Sequence, residues 1–118
     1  MTADSAPTPA TFGWIGVDLD GTLAHYDHWR GDFHIGSPIP TMVARIKGWL
    51  SAGLDVRVFT ARANDGPEAI SLIEDWCYKH LGCTLPVTAT KDRMMIELWD
   101  DRAIQVVPNS GLRADGKD

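Results

Sequence analysis

Hydrophobic residues along the chain follow two periods, and each period predicts one kind of element. Four short apolar runs have the length and composition of buried strands; they cover residues 14–17, 54–60, 87–89 and 94–99. Two longer segments repeat hydrophobic residues every three or four positions, and they predict helices over 41–52 and 67–81. Gly53 and Gly82 stand directly after these helical patterns, where helices commonly end.

The order of these elements predicts an α/β fold. Strands that alternate with helices pair in parallel through right-handed crossovers, which indicates a three-layer α/β/α Rossmann-like sheet. Residues 23–37 have no steady period, so we expect a loop or short hairpin that overhangs the end of the first strand, and residues 61–66 predict a loop. Residues 103–107 predict a last edge strand before Pro108.

A length of 118 residues corresponds to one domain, which we place at residues 12–108. Residues 1–11 are rich in Ala, Pro and Thr, and residues 109–118 are polar, so both predict flexible tails. The chain contains five tryptophans, which is many for its size. A homo-oligomer with an exposed tryptophan at its interface is therefore an open alternative.

Charge and cysteine usage exclude several classes of protein. The net charge is −5 without any basic block, which excludes a protein that holds long nucleic acid through phosphate contacts. Residues 1–11 lack the basic flank and apolar core of a signal peptide, and no apolar run reaches the roughly 20 residues that span a bilayer. Cys77 and Cys83 match neither a redox nor a zinc spacing, so we expect reduced thiols in a cytoplasmic protein without membrane partners.

The most informative motif is Asp18-Leu19-Asp20-Gly21-Thr22, directly behind the first strand. Two carboxylates at one strand end converge on one point and require a cation or a proton between them. An ordinary Asp-Gly turn is the structural alternative. A calcium loop is excluded because its twelfth position, counted from Asp18, is Trp29 rather than glutamate.

Polar side chains also follow the other predicted strands. Thr60 ends the second strand, Asp100 and Asp101 follow the fourth, and Lys91 lies on the approach to it. Ligands of open parallel sheets bind outside the carboxyl ends of the strands, so these residues predict one site. Each residue alone also has an ordinary structural role, and it is their order that favours a site.

This order resembles the four motifs of the haloacid dehalogenase-like (HAD) phosphohydrolases over residues 14–107. The first motif is Asp18-Leu19-Asp20-Gly21-Thr22 and the second is Thr60 within Val58-Phe59-Thr60-Ala61-Arg62. The third is Lys91 and the fourth is Asp100-Asp101. The resemblance implies a phosphomonoesterase that contains Mg²⁺.

The resemblance also assigns roles at the metal. Asp18 is implied as the nucleophile that forms an aspartyl-phosphate, and Asp20 as the general acid that later becomes the base. Mg²⁺ would bind the Asp18 carboxylate, the Asp20 backbone carbonyl and Asp100, with Asp101 as an alternative ligand.

The substrate contacts follow from the second and third motifs. Thr60 and Lys91 are implied to bind phosphoryl oxygens, and Ala61 and Arg62 complete this side of the substrate site. Arg93 is an alternative if Lys91 points away.

The substrate itself stays open. The short segment at 23–37 leaves no room for a cap domain, and capless members of the family often act on large phosphoesters. A nucleotide, a nucleic-acid end or a sugar phosphate are the candidates. Arg30 could contact a second phosphate, and the aromatic residues of 25–34 could stack on a base. A hairpin that packs these aromatic residues against the domain is one alternative. A second metal bound by His25, His28 and His34 is another.

Three other classes of protein share this fold or use similar residues. A phosphotransferase differs only in the acceptor of the phosphoryl group, and a catalytically silent metal-binding or partner-binding module would keep the same fold. The intact pair Asp18 and Asp20 favours the enzyme. Receiver domains use similar residues, but in them the phosphorylated aspartate follows the third strand, which is not the order here.

Overall fold

A computed structural model describes residues 13–117, so the predicted tail at 1–11 lies outside the described residues. The strands are β1 (Trp14–Val17), β2 (Asp55–Phe59), β3 (Val87–Thr88) and β4 (Met95–Trp99), and the helices are α1 (Pro40–Ser51) and α2 (Pro67–Leu81). All strands are parallel, in the order β3-β2-β1-β4. The predicted Rossmann-like α/β class is confirmed. No helix in residues 13–117 has the length and apolar character that crossing a membrane requires.

One face of the sheet carries both helices. The successive units β1-α1-β2 and β2-α2-β3 step in the same direction across the sheet, and right-handed crossovers then place their helices on the same side. One continuous apolar core joins this face to the helices, and its members include Ile15, Val17, Val56 and Val58 from the strands and Met42, Ile46, Ile73, Trp76 and Cys77 from the helices. The hydrophobic positions that predicted the two helices therefore include those that are buried in the core.

On the opposite face, the third layer is an irregular connection between β3 and β4. Trp14 is buried there, with the Arg57 guanidinium 4.7 Å from its ring centroid. The indole Nε1 of Trp14 donates a hydrogen bond of 2.9 Å to Oδ1 of Asp92, in the connection itself. Among residues 13–117 no helix packs on this face, which is covered by these polar contacts and by the Trp14 and Phe59 rings, whose centroids are 6.3 Å apart.

The predicted boundaries of the strands 14–17, 54–60, 87–89 and 94–99 and of the two helices differ from the observed ones by at most one residue at each end. Gly82 caps α2 in the left-handed conformation at φ 85°, as the sequence predicted. Residues 61–66, predicted as a loop, contain a 3₁₀ helix at Ala61–Asp65. Cys77 and Cys83 are free thiols, and burial raises the pKa of the Cys77 thiol to about 12.

The predicted edge strand at 103–107 is wrong. Val106 forms an antiparallel bridge with Arg113, and the Ala114 N–H donates to the carbonyl of Gln105 at 2.8 Å. Asn109 adopts a positive φ of 62° in the intervening turn, so the chain folds back on its own continuation instead of joining the sheet. Residues 105–114 thus form a small hairpin, which includes part of the predicted tail at 109–118, and β4 is an edge of the sheet.

The overhang, residues 23–37, is a loop on a short antiparallel base, as predicted. The His25 N–H donates to the Ser37 carbonyl and the Ile39 N–H to the Leu23 carbonyl, both at 2.8 Å. Leu23 is fully buried, which anchors the first arm in the core. The overhang therefore starts from a fixed point beside the carboxyl end of β1.

Candidate active site

The turn after β1 is held by buried leucines, and it presents its aspartates at the edge of the sheet. The Asp18 N–H donates to the Trp99 carbonyl at 2.9 Å, which ties the end of β1 to the end of β4. Leu19 and Leu23 are fully buried, and the Leu19 carbonyl accepts from the Leu23 and Ala24 N–H groups at 3.0 and 2.8 Å. Because the apolar residues point inward, Asp18 and Asp20 remain at the surface of the core.

Three carboxylates meet at this edge. Asp18, Asp100 and Asp101 each place an oxygen within 4.8 Å of the others. Burial, the charges of Asp100, Asp101 and Asp20, and a hydrogen bond with Asp101 raise the pKa of Asp18 to about 7. The Thr22 hydroxyl donates a hydrogen bond to Oδ1 of Asp101 at 3.2 Å and accepts one from the Asp101 N–H at 3.0 Å. These two bonds fix the position of Asp101.

This cluster fits a hard divalent cation. All of its donors are carboxylate oxygens, the ligands that Mg²⁺ and Ca²⁺ prefer, and burial together with the neighbouring carboxylates raises the pKa of Asp18. Of the four aspartates predicted at the metal, the structure brings three together. The Asp20 carboxylate is engaged elsewhere, and the resemblance had assigned only its backbone carbonyl to the metal.

Gly21 is required by the position of Asp101. Gly21 has a φ of 94°, and a Cβ atom there would lie 2.5 Å from a carboxylate oxygen of Asp101. A side chain at this position would therefore both strain the backbone and displace a carboxylate of the cluster.

We expect Gly21→Ala to destabilise the fold and to weaken binding of a divalent cation by about tenfold or more, because Asp101 must move. Gly53→Ala is the matched control, since Gly53 also has a positive φ, of 81°, but nothing within 4 Å of its Cβ position. Thermal unfolding and calorimetric titration with Mg²⁺ measure the two effects. Equal metal affinity in the two variants would contradict this role of Gly21.

Asp20 is held by a buried arginine. Arg62 Nε and Nη2 each donate to one carboxylate oxygen of Asp20 at 2.9 Å, in a bidentate pair. Arg62 is 7% exposed and also donates to the carbonyls of His34 at 2.8 Å and Asp32 at 3.4 Å. Its guanidinium lies 4.8 Å from the centroid of the Trp29 ring. The predicted substrate residue Arg62 thus links Asp20 to the overhang.

Thr60 and Ala61 lie where the sequence predicted. The Thr60 N–H donates to the Thr88 carbonyl at 2.9 Å, which continues the pairing of β2 with β3. Thr60 Oγ1 accepts from the Arg62 N–H at 3.2 Å and caps the 3₁₀ helix. Because this hydroxyl accepts from the backbone, its own proton is available to donate to a ligand.

A cavity of about 870 Å³ joins these groups. Seven residues predicted for the site line it: Asp18, Asp20, Thr60, Ala61, Arg62, Asp100 and Asp101. Lys91 is exposed and does not line this cavity, and neither does Arg30. Arg30 pairs with Asp27 at 2.8 Å beside a second cavity of about 200 Å³.

Several residues of the cavity wall were not among the predicted site residues. Arg102 lines it because the Asp100 carboxylate accepts from the Arg102 N–H at 2.7 Å, which turns the chain back toward the cavity. In the sequence, the signal that indicates Arg102 as a site residue is its position directly after the fourth motif. Asn64 and Asp65 are brought there by the 3₁₀ helix, which no periodicity indicated.

The alternative of a second metal on the overhang has no support in the structure. Within residues 13–117, the acidic cluster of Asp18, Asp100 and Asp101 is the only set of three suitable side chains whose ligand atoms come together. His25, His28 and His34 all line the smaller cavity, but they do not converge on one point.

No protein-family model and no curated protein matches this chain. The fold is similar to a solved structure described as the conserved protein coded by a locus from Bacteroides thetaiotaomicron. The TM-score is 0.59 and the sequence identity is 21%, with 82% of each chain covered. At this identity the similarity shows the fold alone.

Proposed function

We propose that the protein is a Mg²⁺-dependent phosphomonoesterase that acts through an aspartyl-phosphate, in the manner of the HAD-like phosphohydrolases. The observation that carries the proposal is the acidic cluster of Asp18, Asp100 and Asp101, with ligand oxygens within 4.8 Å, on one cavity with Asp20 and Thr60. This combines a nucleophile, a proton carrier and a hydroxyl donor at one edge of the sheet.

The acidic cluster would hold the metal. Asp18, Asp100 and Asp101 offer only oxygen donors, which suits Mg²⁺. Bound there, Mg²⁺ supplies the positive charge that offsets repulsion between the Asp18 carboxylate and a phosphate dianion. Gly21 and Thr22 position Asp101 for this purpose.

The reaction has two halves. In the first, an Asp18 oxygen attacks phosphorus, the bond from phosphorus to the leaving oxygen breaks, and protonated Asp20 gives its proton to that oxygen. In the second, water attacks phosphorus, Asp20 takes its proton, and the bond from phosphorus to Asp18 breaks to release inorganic phosphate. The bidentate pair with Arg62 holds the Asp20 carboxyl group in position for both proton transfers.

Two further groups would contact the phosphoryl oxygens. The Thr60 hydroxyl keeps a proton to donate, since its oxygen accepts from the Arg62 N–H. Arg102 lies in the cavity wall, whereas Lys91 does not, so Arg102 supplies the cationic contact expected from the third motif. The phosphoryl group would then lie between the acidic cluster and Thr60.

We expect inorganic phosphate release from phosphomonoesters with Mg²⁺ and none after the metal is removed with EDTA. Adding Mg²⁺ back should restore the rate, because the acidic cluster repels the substrate dianion when no cation offsets its charge. A malachite-green assay on an alkyl phosphate, an aryl phosphate and a nucleotide measures this. Turnover that is insensitive to EDTA would contradict the proposal.

The alternative is a metal-binding module that does not turn over substrate. Two observations favour it: Lys91 is outside the cavity wall, and both Asp20 oxygens are occupied by Arg62. Calorimetric binding of Mg²⁺ together with no phosphate release across the same substrates would favour this alternative.

A further inference from the structure

Trp29 has an unusual environment in the cavity wall. It is 49% exposed and lines the cavity, although it is a large apolar residue. The Arg62 guanidinium lies 4.8 Å from its ring centroid, and the same guanidinium donates to the His34 and Asp32 carbonyls. Arg62 therefore lies against one face of the ring, while about half of the residue stays exposed.

Tyr26 and Phe59 extend this aromatic surface. Tyr26 is 45% exposed and, like Phe59, lines the same cavity as Trp29. The volume of about 870 Å³ falls in the upper part of the range for small-molecule sites and far exceeds what a phosphoryl group occupies. A ligand that fills it has a flat, apolar body beyond its phosphate.

The charge of the cavity limits how many phosphates this ligand carries. Five aspartates line it, at 18, 20, 65, 100 and 101, against two arginines at 62 and 102. Arg62 is already paired with Asp20, so one arginine and one metal ion remain to offset the charge of the substrate. Additional phosphates would face unpaired carboxylates.

We propose that Trp29 is a stacking platform for the base of a nucleoside monophosphate unit, either a free nucleotide or the phosphorylated end of a strand. The inference rests on the proposed function in placing the phosphoryl group at the acidic cluster. The base stacks on the accessible face of the Trp29 ring, whose other face is backed by Arg62.

Binding to an inert variant tests this without turnover. In Asp18→Asn with Mg²⁺, we expect adenosine 5′-monophosphate to bind about tenfold more tightly than ribose 5-phosphate by calorimetry. Adding Trp29→Leu should remove this difference, while Trp29→Phe, which keeps a flat ring, should retain part of it. Phe33→Leu is the matched control, because Phe33 is an aromatic residue of the same overhang, 77% exposed, that does not line this cavity.

Equal affinity for the two ligands in the Asp18→Asn protein, or a difference that survives Trp29→Leu, would overturn the inference. An oligonucleotide with a terminal phosphate distinguishes a strand end from a free nucleotide as the ligand. Tighter binding of the oligonucleotide than of the free nucleotide indicates a strand end. Weaker or equal binding indicates the free nucleotide. Base-dependent binding without phosphate release from the wild type would refute the proposed function and leave the stacking platform standing. Circular dichroism of each variant verifies that it is folded.

Discussion

Asp18→Asn is expected to abolish turnover and, at the same time, to stabilise the metal-free protein. The loss of activity should be about 10⁴-fold or more, because an amide cannot serve as the attacking nucleophile. The gain in stability has a separate cause, because the variant removes a partly buried charge that lies among other carboxylates. Phosphate release with Mg²⁺ measures the first effect, and thermal unfolding at pH 8 in EDTA measures the second.

The sign of the stability effect follows from the raised pKa. Burial, neighbouring carboxylates and a hydrogen bond with Asp101 raise the pKa of Asp18 from 3.8 to about 7. A raised pKa in the folded state means that Asp18 contributes stability below its unfolded pKa, and that this stability is lost as the pH rises through about 7. After allowance for solvent screening, we expect about 1–3 kcal/mol at pH 8, or several degrees in Tm.

Asp75→Asn is the control, because Asp75 is an exposed aspartate of α2 that does not line the main cavity. It should leave both turnover and the pH dependence of stability unchanged. Saturating Mg²⁺ should narrow the difference in Tm between wild type and Asp18→Asn, since the cation offsets the repulsion among the carboxylates. Equal Tm values of the metal-free wild type and Asp18→Asn from pH 5 to pH 8 would contradict the prediction. They would show that the charge of Asp18 does not destabilise the folded protein.

Arg62→Ala is expected to slow the hydrolysis of alkyl phosphates by about 10²-fold, within the range of general acid–base catalysis, and that of acetyl phosphate much less. The difference arises because Arg62 positions Asp20 to protonate the leaving oxygen, whereas acetyl phosphate has a good leaving group that needs no such proton. The variant also leaves the Asp20 carboxylate and the carbonyls of Asp32 and His34 without their donor. Because the pair is mostly buried, we expect a loss of about 2–3 kcal/mol of stability.

Arg57→Ala is the matched control, since Arg57 also pairs with an aspartate, Asp55, at 2.8 Å and lies over a tryptophan. Its pair is more exposed and lies away from the cavity, so kcat should be unchanged on both substrates and the loss of stability smaller. Arg62→Lys should restore part of the alkyl phosphate activity, because one ammonium can hold one carboxylate oxygen. Equal slowing of both substrates by Arg62→Ala would mean that Arg62 supports the fold rather than Asp20.

The elements that periodicity predicted are those whose burial is decided locally. In α2, the residues spaced for one helical face, such as Ile73 and Cys77, are fully buried, and Gly82 adopts the left-handed conformation that ends the helix. The error at 103–107 has the opposite origin. An apolar segment of that length suits an edge strand or a hairpin arm equally, and the turn at Asn109 selects the hairpin through contacts that no alternation of side chains encodes.

The candidate site divides in the same way. The sequence by itself determined the parallel α/β fold and the placement of Asp18, Thr60 and Asp100 at strand ends, because side-chain period, helix caps and strand ends are local properties of the chain. Only the tertiary structure decided that Arg62 engages Asp20, 42 positions away in sequence, that Arg102 rather than Lys91 lines the cavity, and that Trp29 lies half-exposed in the cavity wall beside Arg62. These outcomes depend on where a long side chain finds its partners, and a flexible arginine or lysine can reach several that are equally compatible with its position in the chain.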